Sequence, residues 1–167
     1  MAYCSGITDA TAYAAARIGI GLDGRSSLPA SAADAIWGGQ AARVAGALGA
    51  AGVSFASGAS VARSWAADVE RRLTSGHCLL AVTAGLSEAD HSYGRSLVTG
   101  AEADIAAART APMYGWLLAH GAEEADQSAS GWVTSAWDTD RDPSLDVDPG
   151  SGRPYMPPPA QVEQGPR

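Results

Sequence analysis

From Trp37 onward, apolar or small residues return at steps that alternate between four and three: Trp37, Ala41, Val44, Leu48, Ala51, Phe55, Gly58, Ala62, Trp65 and Val69. That alternation is the seam of a helix packed lengthwise on another helix, because a strand would repeat every second residue. Leu73 continues the row after a slip of one position, as a straight helix drifting from a seven-residue repeat requires. Asp68 and Arg72 stand four apart and pair on the solvent side. The run "TSG" closes the segment, with Gly76 as a left-handed C-cap. A second row, Leu79, Val82, Leu86, Ala89, Tyr93, Leu97, Ala101, Ile105 and Ala108, occupies the stretch from about His77 to Ala111, where Pro112 ends it. Each segment is about 35 residues and spans on the order of 50 Å as a helix. The expected fold class is therefore all-α: a long antiparallel helical hairpin or a small helical bundle.

Composition supports helices that approach closely. Apolar residues make up 46% of the 167, but alanine dominates them and there is a single Phe. Alanine is the best helix former and a poor strand filler, and it buries little surface. Glycine opposes the pattern. Gly46, Gly49, Gly52 and Gly58 interrupt the first row, and Gly85, Gly94 and Gly100 the second. Each costs about 1 kcal/mol relative to alanine in a helix interior. Either close backbone approach repays that, or one of the two helices is broken.

Before the first row, Thr8 or Asp9 caps a helix through "ATAYAAARIGIGL", with Tyr13, Ile18 and Leu22 inward, and "DGRSSLPAS" stops it. Ser31 with Asp34 reads as a capping box, which starts the next helix ahead of Trp37 and places the indole inside. After Pro112, "MYGWLLAHGAEEADQ" is a short amphipathic piece. Two units are expected: a helical domain over 1–125 and an acidic, proline-rich tail over 126–167. The tail gathers Pro, Gly, Ser and Asp without periodicity and buries too little to offset its ordering entropy, so it reads as disordered or ordered only by a partner.

The charge is split between these parts. Residues 1–122 carry nine acids and eight Arg, and residues 123–167 carry nine acids and three Arg, giving −1 and −6 of the total −7. No basic stripe exists to neutralise phosphates, which argues against nucleic acid as a partner. The uncharged run Val44 to Ala62 is long enough to span a bilayer but is mostly Ala, Gly and Ser, so a water-soluble bundle explains it better than membrane insertion. "DTDRDPSLDVD" imitates a calcium loop at Asp138, Asp140 and Asp142. Pro143 stands where such a loop needs Gly and Pro149 where it needs Glu, which leaves a solvated acidic segment. Cys4 and Cys78 form no disulfide framework or metal pattern. His77 and Cys78 are adjacent, so on a helix their side chains diverge by about 100°. His91 and His120 have no metal-ligand spacing around them. The chain is expected to be non-enzymatic, with no cofactor and no metal.

The stretch "LPASAADAIWGGQAA", residues 28 to 42, resembles the WXG-type small proteins exported by type VII (ESX) secretion systems of actinobacteria. It is also similar to secretion-associated helical proteins that carry an aromatic-Gly-Gly turn before a long helix. The resemblance covers about residues 5 to 110. It implies a helical hairpin that dimerises, or pairs with a cognate helical protein, and is exported folded past the secretion machinery. It further implies that Trp37 and Gly39 shape a turn. The family's export signal, Tyr-x-x-x-Asp/Glu, has no counterpart at Tyr93 or Tyr114, which are followed four residues later by Leu97 and Leu118.

The function expected is thus partner binding, with export by a non-Sec route or attachment at the cell surface; a cytoplasmic location is the alternative. The residues expected to meet a partner are Trp37, Gly38, Gly39, Phe55, Trp65 and Tyr93, with Trp132 and Trp137 in the tail. A structural scaffold of a phage or other particle would use the same bundle without secretion.

Overall fold

The computed structural model describes residues 2–56 and 58–125. They form α1 (Ile7–Ala10), β1 (Gly19–Ile20), β2 (Ser27–Leu28), α2 (Ala30–Ala50), β3 (Val53–Ser54), α3 (Val61–Ala81), α4 (Glu88–Ala107), α5 (Ala111–Ala119) and β4 (Glu123–Glu124). The architecture is mostly helical. It is not strictly all-α, because β1 pairs in parallel with β2, and β3 pairs antiparallel with β4 in the register Val53 to Glu124. The expected tail, with Trp132, Trp137 and the calcium-like run, lies outside the described residues.

The helices are shorter than the periodicity predicts. The first row is cut after Ala50: Gly52 adopts φ +79°, a left-handed conformation that glycine reaches without steric cost, and the chain leaves the helix there. Helix formation resumes at Val61, where the Ser60 side chain accepts from the Arg63 backbone N–H at 3.1 Å. The second row is cut at Val82, which is extended, and restarts at a capping box in which Ser87 and Asp90 satisfy each other's backbone N–H groups. The 21 and 20 residues of α3 and α4 span about 30 Å each. Both seams still face inward for most of their length. Ala41, Val44, Leu48, Ala62, Val69, Leu73, Leu79, Val82, Ala101 and Ala108 are all buried.

Four boundary expectations are corrected. The helix predicted over residues 10–22 with Thr8 or Asp9 as its cap does not form: α1 covers only Ile7–Ala10 with Gly6 at its N-cap, residues 11–17 continue as turns, and the chain bends again at Gly21 (φ +73°), leaving Leu22 64% exposed instead of inward. The capping box at Ser31 does not form; α2 does begin ahead of Trp37, but from Pro29, whose fixed φ suits a helix entry. Pro112 does not stop the helix before it. That helix has already ended at Ala107, and Pro112 sits in the first turn of α5, where its missing N–H is no loss.

Gly76 is the fourth. It is no cap: it is a buried position inside α3, where helix packing outweighs the local stop signal. A Cβ added to Gly76 would lie 2.8 Å from the Gly94 carbonyl oxygen and 2.7 Å from Val98 Cγ2; one added to Gly94 would meet Leu79 Cβ at 3.0 Å. The two glycines let the backbones of α3 and α4 touch. Contacts along the pair run in opposite order, from Leu79 beside Gly94 to Arg72 beside Asp104, so the helices are antiparallel.

α3 is the axis of the fold. Its C-terminal half is buried on nearly every side, with Leu73, Thr74, Ser75, Gly76, Cys78 and Leu79 all inaccessible. One apolar cluster gathers Val44, Leu48, Val69, Leu73, Ala101 and Leu117; a second gathers Ala14, Ile18, Leu28, Ala33, Leu79 and Val82.

Candidate functional site

The two faces of α2 carry different chemistry. Its inner face presents Ala33, Trp37, Ala41, Val44 and Leu48, and Trp37 does more than fill space. The indole Nε1 donates to Glu70 Oε1 on α3 at 2.6 Å. Glu70 is fully buried, and it also accepts from the backbone N–H of Tyr3 at 2.7 Å and of Cys4 at 3.2 Å. A carboxyl group taken out of water needs such donors, and these three come from α2 and from the N-terminal segment. Glu70 therefore pins both to α3. The Trp37-Gly38-Gly39 tripeptide lies within α2, and no turn occurs there.

The outer face is unusual for a surface helix. Ala35, Gly39, Ala42, Gly46 and Gly49 follow one another at steps of four and three, with Gly38 alongside, and all six are exposed. Polar or charged side chains are expected on such a face. Apart from the adjoining residues and the backbone of α2 itself, Gly38, Gly39, Gly46 and Gly49 have no atom of the described residues within 4 Å of where a Cβ would stand. They contrast with Gly76 and Gly94, whose steric reason is visible. Four open glycines cost about 1 kcal/mol each relative to alanine, and the described fold offers nothing in return.

The remaining aromatic residues of the seam pack on their own chain and are partly buried. Phe55 meets Tyr3 edge-on at 5.3 Å, Trp65 joins the first apolar cluster, and the Tyr93 ring lies 4.0 Å beneath the Arg17 guanidinium. Only Gly38 and Gly39, of the described residues expected to meet a partner, are exposed; the others are partly buried.

Of the polar girdle around α3, spacing in the sequence predicts one pair. Asp68 and Arg72 do meet, at 2.8 Å, as an ion contact without hydrogen-bond alignment. Around them, Arg71 holds Asp9 at 2.6 Å, Tyr13 donates its hydroxyl to Asp68 at 2.5 Å, and Arg72 reaches Asp104. The Asp9 carboxyl is held below its ordinary range, first by the Ser5 backbone N–H and then by Arg71. These groups tie α1 and α4 to α3. Glu70 and Arg71 carried one signal in the sequence: adjacent charges immediately after Val69, on a helix whose neighbours Ala66 and Leu73 both point inward.

The histidines are dispersed. His91 shares a hydrogen bond with the Val82 carbonyl at 3.0 Å, His120 stacks on Trp116, and His77, on α3, lines a groove with Ile36 and Gln40 of α2. Among the described residues, no three or more His, Cys, Asp or Glu side chains gather as a metal site would require, and no helix is long and apolar enough to cross a membrane.

Both cysteines are free and buried. Cys4 donates its thiol to the Ala67 carbonyl at 3.4 Å. Burial, with Glu70 and Asp9 nearby, raises its pKa from 9.0 to about 12; burial alone raises that of Cys78 to about 11. Neither thiol should react with an aromatic disulfide reagent at pH 8 in the folded chain, and both should react in urea. In the unfolded chain these thiols lose protons near pH 9, while the folded chain retains them up to pH 11 and 12. The unfolded state then binds fewer protons, so stability should fall as pH rises above about 9. A native thiol that reacts at the rate of the unfolded chain would contradict this placement.

No protein-family model, no curated protein and no solved structure matches the chain.

Proposed function

We propose that this chain is a non-enzymatic interaction protein that pairs through the outer face of α2 with a helix of a second copy of itself. One observation carries the reading: Ala35, Gly39, Ala42, Gly46 and Gly49 form a smooth, uncharged row at helix-packing spacing, exposed and without a partner among the described residues. Small residues allow two helix backbones to approach closely, and the resulting van der Waals contact offsets the helix-forming free energy the glycines give up. The row is centred on Ala42, so a two-fold axis there sets the same patch against itself, as an isologous dimer requires. The export-linked setting rests on the resemblance of "LPASAADAIWGGQAA" to type VII secreted proteins, whose mode of action is likewise helix pairing. A particle scaffold would employ the same face without export.

Sedimentation velocity of the full chain tests the pairing. The expected result is a concentration-dependent dimer that the double substitution Gly39→Leu, Gly46→Leu converts to monomer with unchanged helical circular dichroism. A chain that is monomeric at every concentration, or a dimer indifferent to both leucines, would overturn the reading.

A further inference from the structure

A groove of about 320 Å³ lies between α2 and α3, lined by Ile36 and Gln40 from one helix and His77, Leu80 and Ala81 from the other. Its walls combine aliphatic surface with two polar side chains, and those polar groups are unfinished. Gln40 Oε1 and His77 Nε2 are sealed from solvent and have no hydrogen-bond partner among the described residues; the hydroxyl of Thr74, three positions before His77 and fully buried, has none either. Buried polar groups are nearly always paired, and leaving one unpaired destabilises a fold. An apolar residue at either position would avoid that. The natural explanation is a partner that arrives from outside.

The chemistry of that partner follows from the two groups. A glutamine amide and an imidazole each act as donor on one atom and acceptor on another. Neither unpaired atom has accessible surface as it stands, so a ligand in the groove meets it only when the amide or the ring turns about its broad terminal torsion. The complementary group is one that holds a donor and an acceptor together in a plane. No Asp, Glu, Lys or Arg lines the groove, so nothing there compensates a ligand charge. Ile36, Leu80 and Ala81 accommodate a short branched hydrocarbon body, and the volume is at the small end of ligand pockets. We infer that this groove binds an uncharged carboxamide carried on a small aliphatic body, with Gln40 and His77 as its hydrogen-bonding partners.

The test is a nuclear magnetic resonance titration of the isotope-labelled full chain at pH 7.5 with three probes: isobutyramide, isobutyrate and a blocked tripeptide, acetyl-Gly-Gln-Leu-amide. The expected result is saturable shifts confined to the backbone amides of residues 36–40 and 77–81 with isobutyramide, and none with isobutyrate. If the blocked peptide binds about tenfold tighter or more, a difference of about 1.4 kcal/mol, the carboxamide comes from a polypeptide; if it binds no better, from a free small amide. Gln40→Leu and His77→Phe should each abolish the shifts while raising Tm, because each removes a buried unpaired group. Absence of saturation with both amides, equal shifts with isobutyrate, or variants that bind like the natural chain would overturn the assignment.

Discussion

Glu70→Ala should lower the unfolding free energy by about 3–5 kcal/mol, a large part of the roughly 5–15 kcal/mol that holds a domain of this size together. The substitution leaves the Tyr3 and Cys4 backbone N–H groups and the Trp37 indole N–H without the fully buried carboxylate that accepts from them. Glu70→Gln should lie between, since one oxygen is retained while the new NH₂ group opposes an existing donor. Trp37→Phe removes one donor and should cost about 1–3 kcal/mol. Urea unfolding of the four chains checks the order. The N-terminal segment should also become newly susceptible to limited proteolysis in Glu70→Ala, because Glu70 accepts the backbone hydrogen bonds of Tyr3 and Cys4. A loss below about 1 kcal/mol for Glu70→Ala would mean that the carboxyl group is not the clip described.

The second large effect separates two kinds of glycine. Gly76→Val should destabilise by about 3 kcal/mol, at the upper end of the ordinary overpacking range. Its Cβ would stand 2.8 Å from the Gly94 carbonyl and 2.7 Å from Val98 Cγ2, so α3 and α4 must move apart along a shared core. Gly46→Ala, equally helical and open, should raise the stability of the monomer by about 0.5–1 kcal/mol. Thermal unfolding of both variants at a concentration where the chain is monomeric gives the comparison. Equal effects of the same sign would show that the distinction between the buried and open glycines is wrong.

The contrast also explains what could be read from the chain. The four-and-three row identified the inward residues because burial is imposed by helix geometry wherever the helix exists; Val44, Leu48, Val69, Leu73 and Leu79 are inside for that reason. It could not say where the helix stops. Gly46, Gly49 and Gly52 look alike in sequence, yet only Gly52 takes a left-handed conformation, and that choice depends on how the chain must turn to bring α3 against α2. Gly76 followed Thr and Ser as a C-cap often does, but contact with Gly94 is a tertiary fact with no local signature. Trp37 was legible as an inward ring; its partner, 33 residues away, was not. Gln40 and His77 each resemble ordinary surface-helix residues until the fold sets them on one groove.

The pairing claim is tested most directly by a single engineered thiol. Because Cys4 and Cys78 are buried and protonated, Ala42→Cys introduces the one accessible thiol among the described residues, at the centre of the glycine row. A disulfide requires Cα atoms within about 7 Å, a distance reached only where two helices cross closely. Under mild oxidation Ala42→Cys should form a covalent dimer much faster than Gly115→Cys, an exposed position on α5. Equal, slow cross-linking of the two variants would contradict pairing through α2.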